Sequence, residues 1–159
     1  MNMVVGVSDM KVSNDLESVL ITYSLGSCIG IAVYDPVVKV GGLLHFMLPE
    51  SELDPVKAQH NPCMFADTGI PLLYKSAYML GAKKQRMRVI VVGGAKIIDQ
   101  KGFFNIGKRN HMAVRKIFWK NNVVIDYEDV GGNVNRTIRL ETCSGQAWVK
   151  VSGKSEIKI

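Results

Sequence analysis

The stretch from Thr22 to Pro49, TYSLGSCIGIAVYDPVVKVGGLLHFMLP, constrains this chain more than any other. Two apolar runs, Ile29 to Tyr34 and Gly41 to Leu48, flank the turn signal Asp35-Pro36 and predict a β-hairpin. Pairing the two runs returns His45 toward Cys28, which lies just before the first. The turn Leu25-Gly26-Ser27-Cys28 carries almost no side-chain bulk ahead of the sulfur, as a nucleophile open to substrate requires. Cys28 and His45 are therefore a candidate thiol and base pair. Cysteine is also among the most buried residue types, and a lone strand histidine is usually a satisfied structural group, so spacing alone leaves that alternative open.

The remaining sequence supplies more strands and two helices. Met3 to Val7 and Val19 to Tyr23 read as strands separated by the polar connection Ser13-Asn14-Asp15. Thr22 ends the second, and strand alternation allows it to face the same cleft as Cys28. Glu50 to Pro62, rich in proline, predicts a loop past the His45 strand. Asp67 and Thr68 offer an N-cap, with Pro71 in the first turn and Ile70, Leu73, Ala77 and Leu80 at helical spacing before Gly81. Met87 to Val92 reads as a buried strand closed by Gly93-Gly94. Ala95 to Phe104 predicts a loop, with Phe103-Phe104 as a possible contact surface or a buried pair. Asn105 caps a helix from Ile106 to Lys120, whose buried stripe is Val114, Ile117 and Phe118. A strand at Val123 to Tyr127 and a hairpin of Thr137 to Leu140 with Ala147 to Val151, turning at Ser144-Gly145, complete the reading. The expected class is α+β, a layered α/β sandwich of mixed short-stranded sheets covered by two main helices. At 159 residues and 47% hydrophobic content, one domain over 1–159 is expected.

Composition narrows the function. The formal charge of +6 suggests acidic partners, but Lys83-Lys84, Lys108-Arg109 and Arg115-Lys116 are scattered and not interleaved with stacking aromatics, so no nucleic-acid partner is expected. The uncharged run Ser18 to Tyr34 is broken by Ser24, Gly26, Ser27 and Gly30 and is too short for a membrane crossing. No secretory leader is read at the start, and cytoplasmic residence is expected. Three well-separated cysteines, Cys28, Cys63 and Cys143, argue for reduced thiols. Cys28, His45, His60 and Cys63 lack the paired short spacings of a zinc site, so no metal or cofactor is expected. The diglycine after Val92 has no GxGxxG or GKS/T around it, which makes nucleotide binding a weak reading.

The sequence TxxLGSC from Thr22, the HFMLP that contains His45, then DTGIPLL, LGA, VVGGA, NIGKRN and DVGG resemble, in this order, the CheD family of chemoreceptor glutamine deamidases. The resemblance implies hydrolysis of glutamine side chains on the cytoplasmic domain of methyl-accepting chemotaxis receptors. It implies Cys28 as nucleophile, His45 as base, and Thr22 as the third member, orienting the imidazole. An imidazolium beside Cys28 would then stabilise its thiolate and make it the first thiol to alkylate. The Cys28 backbone N–H, with Ser27 and Gly26 admitting a close approach of the main chain, is the expected substrate-binding oxyanion site. The resemblance also implies a CheC-type phosphatase partner. The alternatives are a non-catalytic regulator of that phosphatase, and a cysteine protease or transglutaminase-like acyltransferase using the same thioester.

Overall fold

The structure, a computed structural model, describes residues 1–96 and 105–159. The expected pair Phe103-Phe104 and most of the expected loop around it lie outside the described residues. Two five-stranded sheets stack against each other, and helices cover the outer face of one.

The first sheet has the order β1 (Asn2–Val4), β3 (Val19–Leu25), β8 (Arg136–Glu141), β9 (Ala147–Val151) and β10 (Ile157–Lys158). The second has the order β2 (Asp9–Ser13), β5 (Val40–Phe46), β4 (Ile29–Asp35), β6 (Arg88–Gly93) and β7 (Tyr127–Val130). Pairing is antiparallel except between β1 and β3 and between β6 and β7. The residue pattern sets which sheet lies in the middle. β4 and β5 read IGIAVYD and VGGLLHF and are buried throughout, as strands covered on both faces must be. In β8 buried and half-buried residues alternate, because one face of the first sheet meets solvent.

Two apolar cores follow from this alternation. Between the sheets lie Leu20, Leu25, Ala32, Leu43, Val92, Ile138 and Val149. On the other face of the second sheet, Ile29, Ile31, Leu44, Phe46 and Val91 meet the helices α2 (Ala66–Met79) and α3 (Ile106–Lys120) through Leu73, Val114 and Phe118. Each fully buried Leu, Ile or Phe contributes roughly 1.5–3 kcal/mol, so these cores hold the layers in fixed register.

The α+β class with two main helices is observed, and several expected boundaries are not. Glu50 to Pro62 is a series of helical turns rather than a plain loop, including the short helix α1 (Pro55–His60). Here Pro55 opens α1 behind the Asp54 carboxylate, which accepts from the Lys57 N–H, so the proline starts a helix instead of only breaking one. α2 begins at Ala66, ahead of Asp67 and Thr68, and holds Pro71 inside it. Asp67 accepts instead from the Ser51 backbone and hydroxyl, and Thr68 donates to the Pro62 carbonyl. Asn105 takes a left-handed conformation with φ of 53° and makes no side-chain cap. Strand β7 starts at Tyr127 instead of Val123 because the Asp126 carboxylate accepts from the Val89 N–H at 2.7 Å and Val124 is left exposed. Strand β2 was not expected, and Val7 is an exposed turn residue beyond β1.

Candidate active site

Thr22 and His45 come from different sheets. In the second sheet His45 lies opposite Gly30 of β4 and Asp9 of β2. Its neighbours Leu44 and Phe46 face the helices, so alternation sends its side chain into the space between the sheets. Thr22 reaches that space from β3, two residues beyond the inward-facing Leu20. Both side chains are buried, and Thr22 Oγ1 lies 2.7 Å from His45 Nδ1.

A second hydrogen bond decides the direction of the first. Thr22 Oγ1 donates to the Val5 carbonyl at 2.7 Å, which uses the only proton of the hydroxyl. Nδ1 must therefore carry the imidazole proton and donate to Oγ1, and Nε2 is the nitrogen with the free lone pair. Nε2 is buried and has no hydrogen-bond partner among the described residues.

The thiol approaches the same space. Immediately after Thr22, β3 holds one extra residue against β8, since Thr22 pairs Ile138 and Leu25 pairs Arg136. Ser24 sits in this bulge with φ of 56° and bends the chain into the turn that bears Cys28. Cys28 is partly exposed and packs at the edge of the core between the sheets. It precedes Gly30, the residue opposite His45, by two positions, which places both side chains on one face.

Three backbone carbonyls of the turn are held from behind. Ala95 N donates to Gly26 O at 2.8 Å, Gly94 N to Cys28 O at 2.9 Å, and Asn110 Nδ2 to Ser27 O at 3.0 Å. The first glycine of the pair permits this close approach. With φ of 116°, Gly93 lies so near the Cys28 carbonyl that a Cβ there would overlap it. Among the described residues no backbone carbonyl accepts from the Ser27 or Cys28 N–H.

Burial sets the charge state. It pushes the Cys28 thiol up to about 11, only partly offset by its own backbone N–H. Burial also brings His45 down from 6.5 to about 4, with the Asp9 carboxylate acting weakly in the opposite direction. Burial of both groups thus favours a neutral thiol and a neutral imidazole near pH 7, in contrast to the imidazolium-stabilised thiolate expected from sequence.

Comparison with known proteins supplies the family. A model described as CheD chemotactic sensory transduction matches residues 47–151. The chain belongs to the CheD family. It is 59% identical over 152 residues to a Syntrophus aciditrophicus protein named "Probable chemoreceptor glutamine deamidase CheD 1", covering 96% of this chain and 95% of that one. Similar relatives from Solibacter usitatus and Anaeromyxobacter dehalogenans are 48% and 44% identical, covering 96% and 92% of this chain and 90% and 92% of theirs, with names of the same form. Thr22, Cys28 and His45 precede the segment matched by the CheD model but lie within a chain that its relatives match almost end to end.

Of the residues named from sequence, Thr22 and His45 are in direct contact, Cys28 shares their face, and Gly26 and Ser27 form the turn. Cys63 is buried at the start of the helical layer, Cys143 is exposed, and no cluster of three or more metal-ligating side chains occurs among the described residues. No helix among the described residues is long and apolar enough to cross a membrane. Sequence reasoning missed Asn110. It sits in the buried stripe Ile106, Asn110, Val114 and Phe118 of α3, and a polar residue in an apolar stripe is itself a signal.

Proposed function

We propose that the protein deamidates glutamine side chains on chemoreceptors to glutamate through a thioester at Cys28. The observation carrying the mechanism is the tautomer of His45, whose Nδ1–H is committed to Thr22 and whose Nε2 lone pair is free on the face shared with Cys28. The chemoreceptor as substrate rests on family membership and the names of its relatives.

The thiol proton passes to His45 Nε2 as sulfur attacks the glutamine carboxamide carbon. Because the resting pair is neutral, proton transfer accompanies attack. The oxyanion that forms accepts from the Cys28 N–H in the open turn of Gly26 and Ser27. Collapse breaks the C–N bond, and Nε2–H protonates the leaving nitrogen to give ammonia. Water then attacks the thioester, gives its proton to Nε2, and the C–S bond breaks. The sulfur recovers its proton from His45, and the new carboxylic acid ionises to glutamate. Thr22 keeps Nδ1 as the donor throughout, so that Nε2 alone exchanges protons.

Residues 1–159 act as one deamidase domain in the cytoplasm, where receptor signalling domains lie. The family resemblance adds a CheC-type phosphatase that competes with the receptor for this protein.

The test is mass spectrometry of receptor cytoplasmic fragments after incubation with the protein. The expected product shows a gain of about one dalton at particular glutamines, as –NH2 is replaced by –OH. Peptide cleavage or cross-linking in place of that gain would assign the thioester to a protease or an acyltransferase.

A further inference from the structure

Asn110 is fully buried in α3, where the stripe is otherwise apolar or glycine, and its amide nitrogen bridges two chain segments that carry the chemistry. Nδ2 donates to Ser27 O at 3.0 Å and to Met47 O at 2.8 Å. Ser27 adjoins Cys28, and Met47 lies two residues beyond His45. Both acceptors are carbonyls, so the amide can face them only through its nitrogen. Its Oδ1 is thereby turned away, buried and without a partner among the described residues. A side chain serving only packing would not place an amide in this apolar stripe.

We infer that Asn110 is the positioning residue that aims the oxyanion donor of Cys28. Ser27 C=O and Cys28 N–H belong to one planar trans peptide unit, in which they point in opposite directions. Holding Ser27 O against α3 directs Cys28 N–H away from the helix, and donation to that oxygen polarises the unit and strengthens the N–H as a donor. The second bond, to Met47 O, ties the same amide to the strand end that carries His45. α3 can hold this position because Gly107 seats it against the next segment: a Cβ at Gly107 would overlap the Ala95 carbonyl oxygen. One side chain thus couples the geometry of the oxyanion site to that of the base.

The inference rests on Cys28 as the nucleophile, and the test separates the two. Asn110→Ala, Asn110→Gln and Cys28→Ala are compared with the parent protein in two reactions: deamidation of a receptor fragment, and alkylation of Cys28 by iodoacetamide, read from the mass of its peptide. Alkylation forms no oxyanion and so reports only thiol access and ionisation. The expected result for whichever Asn110 variant folds is a fall in kcat of roughly tenfold to a hundredfold, with KM and the Cys28 alkylation rate within about twofold of the parent. Gln retains the amide on a longer arm and should recover part of the loss. An unchanged kcat, or deamidation and alkylation falling together, would overturn the positioning role. If Asn110 serves the scaffold alone, failure of both variants to fold is the outcome, and it too counts against the inference. Deamidation by Cys28→Ala would instead remove the nucleophile assignment beneath it.

Discussion

Thr22 and His45 join the two sheets through one buried hydrogen bond of 2.7 Å, and the Val5 carbonyl on the far side of the hydroxyl fixes which way it runs. Thr22→Val keeps the shape and removes the hydroxyl, leaving His45 Nδ1–H and Val5 O without their partner. Each loss costs about 1–3 kcal/mol in stability. The imidazole can then adopt the other tautomer, and kcat should fall by roughly tenfold, less than the hundredfold or more expected for His45→Ala. Thr22→Ser should recover most of the rate. Steady-state kinetics and thermal melts of the three variants check this, and a Thr22→Val loss equal to that of His45→Ala would enlarge the role of the hydroxyl.

The same burial gives the enzyme a pH dependence of definite sign. His45 is held near 4 in the folded chain against 6.5 ordinarily, so the unfolded chain binds more protons between those values. Stability from this group is present above 6.5 and is lost as pH falls toward 4, by on the order of 3 kcal/mol. The difference in denaturation midpoint between the parent and His45→Gln should shrink across that window. The acid limb of kcat/KM should likewise fall below pH 6, and a limb centred at 6.5 would contradict the neutral resting imidazole.

Thiol chemistry should follow exposure. Cys143 is exposed, whereas the Cys28 thiol is pushed up to about 11 by burial. Iodoacetamide at neutral pH should therefore modify Cys143 before Cys28, and timed peptide masses give the order. Cys143→Ser and Cys63→Ser should both retain turnover, Cys63→Ser with a packing cost because its side chain is buried.

Gly93 has no room for a side chain beside the Cys28 carbonyl. Gly93→Ala should displace the turn and remove activity even where circular dichroism shows the sheets intact. A fully active Gly93→Ala protein would mean that the turn tolerates movement.

The hairpin that carries His45 was legible because its two runs are apolar throughout and its turn is marked by Asp35-Pro36. β4 and β5 lie in the middle layer, where that pattern is required. The edges were less legible: β2 is short and half-buried, and its register with His45 is a long-range pairing without local signature. Asp126 stopped the expected Val123 strand with a side-chain hydrogen bond that no propensity describes. In the site, residue types pointed to Cys28 and His45, while Val5 contributes only a carbonyl, which no residue type marks. The charge state of the pair was hidden for a related reason. Proximity of thiol and imidazole was inferred from the hairpin, but the burial that decides their charge belongs to the packed layers.

Every step of the proposed chemistry depends on the Cys28 thiol. The measurement that tests it most directly is receptor-glutamine deamidation by purified Cys28→Ala protein, followed by peptide mass spectrometry, with circular dichroism and melting compared with the parent. A parent-like fold and no conversion above the spontaneous rate are the expected result. Conversion at the parent rate by the folded variant would contradict it.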